Sequence, residues 1–297
     1  MLSLPKILAP IDFSERSPGA ARYAGRLARQ FHSELTLLHV LDPSIYELSA
    51  QEFTDPAIRG LCDGWRSRTE TLLADFLAEG FLNLDVRRIV LSGDPADVII
   101  HFAHFERTNL IVLPTYSYYE PFRPFVLGSV ASRVLHEADC PVLTGVHTLD
   151  AFPNELRSFR KILCAVDLCP PSVKALAWAS QVAEEVHAQL TIAHITPSTG
   201  DGEYVSPDRR QNWATETRHE EFATQARQKI EQMQKSVGAS AAAFIDSSMD
   251  VPQAVCSAAS RLDADLVVVG RGSSAGDRLQ TKVYSIVRQS PCPVVSV

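Results

Sequence analysis

The chain has 297 residues, of which 45% are hydrophobic and 21% charged, a composition typical of folded globular proteins. This length accommodates two ordinary domains, each able to bury its own core. A net charge of −7 without any basic run argues against binding to a nucleic-acid backbone. No apolar run is long enough to span a bilayer, and the first residues do not resemble an export signal. We therefore expect a cytoplasmic protein that binds neither nucleic acid nor membrane.

Short β-branched apolar runs alternate with helical patterns along the first half of the chain. A helix is predicted to begin at Ser17, with that serine as its N-cap and Pro18 in its first turn. Further helices are predicted within residues 58–77, 95–105 and 128–138. The apolar runs, which are typical of buried parallel strands, lie near residues 6–11, 35–40, 86–91, 110–113 and 142–146.

The same pattern returns about 155 residues later, which indicates a duplicated domain rather than a solenoid repeat. Lys6–Asp12 matches Lys161–Asp167, and Cys140-Pro141-Val142 matches Cys292-Pro293-Val294. The second set of helices is predicted near residues 172–187, 212–236, 252–261 and 282–289. We expect one domain over residues 1–147, a linker over 148–159 and a second domain over 160–297.

Alternating strands and helices at this spacing predict an α/β fold in which each unit has a five-stranded parallel sheet with helices on both faces. In such open sheets, ligands bind beyond the carboxyl ends of the strands, at the point where the strand order reverses. The first and fourth strands of each unit would flank that point. Asp12 and Asp167 follow the first strands, and Pro114 and Gly270 follow the fourth.

Several short motifs follow these strands in a defined order. Together they resemble the universal stress protein family, and the resemblance covers essentially the whole chain, twice. It implies two tandem Rossmann-like domains of the adenine nucleotide alpha hydrolase-like type and a stress-response role without catalysis. In the first unit the motifs are Asp12-Phe13-Ser14, Leu38-His39-Val40, Gly93-Asp94-Pro95, Gly128-Ser129-Val130 and Cys140-Pro141-Val142.

The resemblance also implies where ATP would bind. The first-strand aspartate would face the ribose and adenine, and the backbone at Val40, or at Ile195 in the second unit, would contact the adenine edge. A Gly-x-x-Gly…Gly-Ser/Thr loop would hold the phosphates, because glycines let backbone N–H groups approach and the next helix begins there. The candidate binding residues are Asp12, Ser14, Val40, Gly128, Ser129, Asp167, Ile195, Gly270, Gly272, Ser273 and Thr281.

Neither unit keeps that phosphate loop intact. In the first unit Pro114 and Ser117 replace the glycines, and a bulky aromatic segment, Tyr116 to Phe125, follows. The second unit keeps Gly270, but its loop is shorter, and Cys169 stands where the first unit has Ser14. We therefore expect weak adenine-nucleotide binding that favours the second unit. The aromatic segment would either fill the vacated pocket or contact a partner.

Several candidate residues have a purely structural interpretation as well. Asp12 and Asp167 suit a turn before a helix whether or not a ligand binds. For Ser129 and Thr281, capping of a helix is the favoured role.

The histidines and cysteines are interpreted as structural. His39 and His194 match across the repeat, and packed, hydrogen-bonded rings are favoured over catalysis. His101 and His104, close to Glu106, are spaced as metal ligands could be, but a solvated helix face is favoured and no metal is expected. The six cysteines contain no C-x-x-C pair and indicate reduced thiols rather than disulfides.

No nucleophile elbow, Walker loop or H-E-x-x-H motif occurs, which favours a binding protein over an enzyme. Two alternatives stay open: a nucleotide-dependent hydrolase or transferase of the same broad fold, and a ligand-free dimerisation or scaffold module. We also expect the two units to form an intrachain pseudo-dimer through their last apolar strands, Val142–Val146 and Val294–Val297, because an uncovered apolar edge promotes aggregation. A homodimer remains open.

Overall fold

The strands form where short apolar runs occur, because a parallel strand covered on both faces must be apolar along its whole length. A computed structural model describes residues 4–42, 56–114, 128–145, 159–197, 209–271 and 277–297; within them, the backbone alone is described at 56–62, 197, 209–220 and 277–281. The chain divides into a first unit, Ser3–Leu156, and a second unit, Arg157–Val297.

The described part of the first unit alternates strands and helices, as predicted. A short 3-10 turn, Glu79–Phe81, precedes its third strand. Its elements are β1 (Lys6–Pro10), α1 (Ser17–Phe31), β2 (Glu34–Leu41), α2 (Pro56–Asp75), β3 (Val86–Ser92), α3 (Pro95–Phe105), β4 (Leu110–Val112), α4 (Ser129–Glu137) and β5 (Val142–Thr144).

The described part of the second unit repeats this order. Its elements are β6 (Lys161–Ala165), α5 (Pro170–Glu185), β7 (Gln189–Pro197), α6 (Arg209–Val237), β8 (Ala242–Ser248), α7 (Val251–Arg261), β9 (Leu266–Val269), α8 (Asp277–Gln289) and β10 (Val294–Ser296).

Each unit has a parallel sheet with the same strand order. In the first unit the order is β3-β2-β1-β4-β5, and in the second it is β8-β7-β6-β9-β10. All of the neighbouring pairs within the units are parallel. The order reverses between β1 and β4, and between β6 and β9, so the predicted α/β fold and its switch points are confirmed.

The core of each unit lies on both faces of its sheet. Consecutive residues of the central strands are buried, as at Ile7, Leu8 and Ala9 in β1 and throughout Leu266–Val269 in β9. Because consecutive strand side chains point to opposite faces, this burial requires cover on both sides. Helix α1 turns a stripe of small residues, including Ala20, Ala24 and Ala28, toward this core.

The helices and cysteines of the described ranges bear on two further predictions from the sequence. None of the helices in the described ranges is both long and apolar enough to cross a membrane. The five cysteines whose side chains are described are free thiols. The linker predicted at 148–159 and the aromatic segment from Tyr116 to Phe125 lie essentially outside the described residues, and what was predicted of them stays a prediction.

Gly93 is the residue in the first unit whose backbone most clearly requires glycine. Its φ is +146°, and a Cβ built there would lie 2.8 Å from Val98 Cγ2. Its N–H donates to the carbonyl of Leu41 at 3.0 Å, which fixes the chain just before Asp94 caps α3. A side chain here would therefore disturb both the end of β3 and the start of the helix.

Replacing Gly93 by alanine is expected to lower the free energy of unfolding by about 1–3 kcal/mol, because the backbone would be strained and Val98 displaced. The matched control is Gly64→Ala in exposed helix α2, where nothing lies within 4 Å of an added Cβ. That change should raise stability by about 0.5–1 kcal/mol. Denaturant unfolding of both variants measures the difference, and effects of the same sign would contradict the argument.

Candidate functional site

The turn after β1 is held by one carboxylate. Asp12 Oδ1 accepts hydrogen bonds from the backbone N–H of Ser14, at 2.9 Å, and from the hydroxyl of Ser17. The hydroxyl oxygen of Ser17 in turn accepts from the backbone N–H of Asp12 at 3.1 Å. We call this closed set of bonds the aspartate–serine latch. It holds the carboxyl end of β1 against the first turn of α1.

The second unit contains the same latch. Asp167 Oδ1 accepts from the N–H of Cys169 at 3.0 Å and from the Ser172 hydroxyl at 2.5 Å, while Ser172 Oγ accepts from the N–H of Asp167 at 3.1 Å. Both serines are buried, with exposed fractions of 0% for Ser17 and 4% for Ser172. The two aspartates are exposed, so each latch presents a carboxylate at the surface of the sheet edge.

The latch corrects the role predicted for Ser17 and adds Ser172 to the candidate site. Ser17 was predicted to cap α1, but the N-cap is Arg16, which makes no side-chain cap bond. The Ser17 hydroxyl bonds the aspartate instead, because its position in the first turn brings it over the end of β1. Ser172 was not singled out from the sequence. The signal was present, since aspartate and serine stand five residues apart in both units.

The residue after each aspartate adopts a left-handed backbone. Phe13 has φ of 58° and Leu168 has φ of 61°, values that cost free energy for any residue with a Cβ. This conformation directs the next N–H, of Ser14 or Cys169, onto the carboxylate. The same strained turn in both units indicates that the position of the aspartate is structurally required in each.

A histidine from the second strand supports each turn. His39 Nδ1 lies 2.7 Å from the carbonyl oxygen of Ile11, and His194 Nδ1 lies 2.9 Å from that of Val166. Because a carbonyl can only accept, Nδ1 carries the proton in both rings. Burial lowers the pKa of His39, and this outweighs the bond to Ile11 and the charge of Asp12, which raise it. The structural interpretation of both histidines is therefore supported.

The first unit adds an aromatic cluster to its turn. The Phe13 ring lies 4.7 Å from the His39 ring and 5.8 Å, edge to face, from the ring of Phe76. Phe13 is 36% exposed, so one part of this cluster faces solvent at the carboxyl edge of the sheet. The second unit has Leu168 at the position of Phe13, so the two edges differ in chemistry although their backbones match.

Ser14 and Val40 both lie at this edge. The hydroxyl of Ser14 is buried and has no hydrogen-bond partner among the described residues. Val40 pairs with Leu91 near the end of β2, and Ile195 pairs with Asp246 at the matching place in β7. The strand register therefore places Val40 and Ile195 near the level of Asp12 and Asp167, and their contact with a nucleotide stays a prediction.

The predicted capping roles at the fourth helix are wrong. Gly128, not Ser129, is the N-cap of α4, and Ser129 is the first helical residue with an exposed side chain. In the second unit α8 begins at Asp277, so Thr281 lies inside the helix rather than at its cap. Gly270 directly follows β9, whereas Gly272 and Ser273 lie outside the described residues.

The histidines on α3 do not face a common point. His101 Nδ1 contacts the carbonyl of Asp97 at 2.7 Å, and His104 Nδ1 contacts Asp139 Oδ2 at 2.6 Å. Glu106 is held separately by Lys6 at 3.1 Å. In the parts of the chain with described side chains, no group of three or more His, Cys, Asp or Glu residues could hold a metal ion.

Comparison with known proteins agrees with this geometry. The sequence profile of the universal stress protein family matches residues 4–144 and again 158–297. The chain belongs to the universal stress protein family. It is a tandem member, because the two matches cover nearly all of its length.

Individual relatives of this chain are universal stress proteins, and a solved one shares its fold. A universal stress protein of Methanocaldococcus jannaschii is 31% identical over 46% of this chain and 79% of its own length. One of Mycolicibacterium smegmatis is 25% identical over 68% of this chain and 67% of its own. The crystal structure of a universal stress protein from Archaeoglobus fulgidus has a TM-score of 0.64 at 19% identity, covering 98% of this chain and 95% of that one.

Removing either latch hydroxyl should destabilise this universal stress protein. Ser17→Ala and Ser172→Ala are each expected to lower the free energy of unfolding by about 1–3 kcal/mol, because a backbone N–H and a carboxylate oxygen lose a partner. Ser67→Ala, on the exposed face of α2, is the control and should stay within about 0.5 kcal/mol of the parent. Urea denaturation measures all three. If the latch variants were as stable as the control, the latch would contribute nothing to folding.

His39 should make stability depend on pH. Its pKa is lowered in the folded state, so below the unfolded value of about 6.5 the unfolded chain binds the extra proton more readily. The free energy of unfolding should therefore fall as the pH drops from 7.5 to 5. His39→Asn keeps a donor near the Ile11 carbonyl but cannot titrate, so its curve should fall less steeply. Parallel curves for the two proteins would refute this assignment.

Proposed function

We propose that this chain is a non-enzymatic, cytoplasmic stress-response protein that acts by binding, with one weak adenine-nucleotide site in its second unit. The observation that carries the proposal is Gly270, which directly follows β9 and lies next to Ser172 of the second latch. Each latch holds an exposed aspartate at the switch point, where the family resemblance implies contact with ribose and adenine, but among the described residues that follow the fourth strands, only the second unit has a glycine. The family itself supports the stress-response role, and cytoplasmic location is part of the proposal.

The preference for the second unit depends on the residue after the fourth strand. An added Cβ at Gly270 would meet the Pro171 carbonyl oxygen, Ala175 and Ser172 no closer than 3.7 Å, which is ordinary contact. Packing therefore does not require glycine at position 270. Close approach of a phosphate to the backbone is a remaining reason for a glycine there. Pro114 in the first unit has no N–H to offer a phosphate.

The state of the thiols argues against catalysis by the cysteines whose side chains are described. Burial raises the pKa of Cys164 to about 12, of Cys256 to about 11 and of Cys292 to about 12, so none of these thiols supplies a thiolate at neutral pH. The pKa of exposed Cys169 is also raised, first by partial burial and then by the nearby charge of Asp167. Catalysis by these cysteines would need the opposite shift.

The alternatives lead to different measurements. A hydrolase or transferase of the same fold would release product from ATP, and a ligand-free scaffold would show neither binding nor turnover. Intrachain pairing through the last strands, or a homodimer, is compatible with either binding or scaffolding and remains a separate proposal.

Calorimetric titration with ATP should give a dissociation constant on the order of 100 μM, with one site per chain. Asp167→Asn keeps the latch acceptor but removes the charge, and should weaken binding about tenfold through loss of a charge-assisted hydrogen bond. Asp12→Asn is the matched control in the first unit and should leave affinity unchanged.

Equal loss in both variants would overturn the asymmetry between the units. Absence of ATP binding by the parent protein would favour the scaffold. Release of phosphate or pyrophosphate, at a rate that Asp167→Asn abolishes, would favour the enzyme.

A further inference from the structure

The two units also differ at the edge opposite the latches, where the amino ends of the strands lie. In the first unit an ion-pair network fills this edge. Lys6 Nζ contacts Glu106 Oε2 at 3.1 Å and the backbone carbonyl oxygen of Glu106 at 3.0 Å. Arg87 Nη1 contacts Glu34 Oε1 at 3.0 Å and Glu106 Oε2 at 3.3 Å. The hydrogen bonds from Lys6 and Arg87 lower the pKa of Glu106, so this carboxylate stays charged at neutral pH.

The second unit keeps the lysine and loses the rest of this network. Lys161 stands at the position of Lys6, but the sheet register places Gln189 at the position of Glu34 and Ala242 at that of Arg87. Leu262, the first residue after α7, replaces Glu106, the first residue after α3. The second unit therefore lacks the carboxylate that corresponds to Glu106, which contacts the lysine directly in the first unit.

A pocket of about 270 Å³ opens at these positions in the second unit. Its lining includes Lys161, Gln189, Thr191, Arg261, Leu262 and Ala264, and none of the described residues that line it is acidic. Two cations, two hydrogen-bonding side chains and an apolar wall therefore meet in one cavity. Its size is close to the lower end of small-molecule sites and is too small to enclose a nucleotide.

The cations of this pocket are only loosely paired. Lys161 Nζ lies 3.4 Å from Asp263 Oδ2, a carboxylate whose side chain is 85% exposed. Arg261 Nη1 lies 3.9 Å from Asp246 Oδ2, and its guanidinium stacks 5.2 Å from the Phe244 ring. Exposed ion pairs of this kind contribute little to stability, so an incoming anion can displace them.

The third nearby carboxylate, Asp265, is already occupied. Its Oδ2 accepts from the backbone N–H groups of Arg160 at 2.8 Å and Lys161 at 2.9 Å, where the first unit uses Asn109. Asp265 therefore repels an anion less than its charge alone suggests, because two donors converge on it. The side chains that face the cavity itself remain cationic.

We propose that this pocket is a second ligand site, separate from the nucleotide edge, that binds a small organic anion carrying a carboxylate or a phosphate. Lys161 and Arg261 contact the anionic group, Gln189 and Thr191 bind neighbouring hydroxyl or carbonyl groups, and Leu262 with Ala264 covers the carbon skeleton. The first unit cannot bind such an anion in the same way, because Glu106 occupies the position of its charge.

The test is a titration of the full-length protein with citrate and with glucose 6-phosphate at constant ionic strength, followed by backbone amide NMR. Either anion should produce saturable shifts at Gln189, Thr191 and Leu262, with a dissociation constant on the order of 1 mM. Glucose at the same concentrations is the uncharged control and should produce none.

Three variants distinguish a specific anion-binding site from nonspecific attraction of anions to surface cations. Lys161→Met should weaken binding at least fivefold, and Leu262→Glu, which restores the carboxylate of the first unit, should abolish it. Lys174→Met removes the same charge from an exposed position on α5 and should change nothing. Amide spectra of the variants show whether the fold is retained.

Any one of three results would overturn the proposal. These results are the absence of local shifts with both anions, shifts spread over surface cations throughout the protein, and equal weakening of binding by Lys161→Met and Lys174→Met. Citrate and glucose 6-phosphate also distinguish the two sources of the anionic group, because a site for carboxylates or for phosphates alone would respond to only one of them.

Discussion

The aspartate–serine latch is the interaction on which the candidate site depends. A parallel sheet leaves the carboxyl ends of its strands open, and the chain must turn sharply there to enter the next helix. In both units one carboxylate oxygen satisfies a backbone N–H and a buried hydroxyl, while that hydroxyl satisfies a second N–H. The free energy of these bonds offsets the strained backbone of Phe13 and Leu168. The exposed aspartate is thereby held in position before any ligand arrives, which lowers the entropy cost of binding.

The structural role of Asp12 and Asp167 does not compete with the ligand-binding role that we propose for Asp167. The described hydrogen bonds of each carboxylate use Oδ1, which leaves the other oxygen at the exposed edge. A latch can therefore persist in a unit whose phosphate loop has changed, because folding alone requires it. Retention of the aspartate in the first unit is for that reason no evidence of nucleotide binding there, and the residues after β4 and β9 carry the distinction.

The fold could be predicted from the sequence because its signals are local and repeated. Short, largely apolar runs such as Leu35–Leu38 favour buried strands, and two matching sets of them define the duplication. The latch could not be predicted in full, because Ser17 before Pro18 has the pattern of a helix cap and its bond to Asp12 depends on the exact turn. Thr281 was placed at a helix start because the family pattern aligns it there, whereas α8 begins at Asp277. The amino-edge pocket depends on residues from several elements far apart in sequence, which no local pattern connects.

Because the domain is duplicated, each position in one unit can be compared with the equivalent position in the other. Positions that hold the sheet together, such as the latch and the paired histidines, are the same in both, since any change there would cost folding free energy. Positions at the two open edges of each sheet are less constrained by folding. The first unit has larger or paired side chains there, and the second has smaller or less tightly paired ones. The first unit adds aromatic rings at its carboxyl edge and ion pairs at its amino edge, while the second keeps Gly270 at one and an open cationic pocket at the other. Both proposed sites lie in the second unit, where Leu168 stands at the position of Phe13 at one edge and Leu262 at that of Glu106 at the other. Neither leucine has the aromatic ring or the charge of its counterpart.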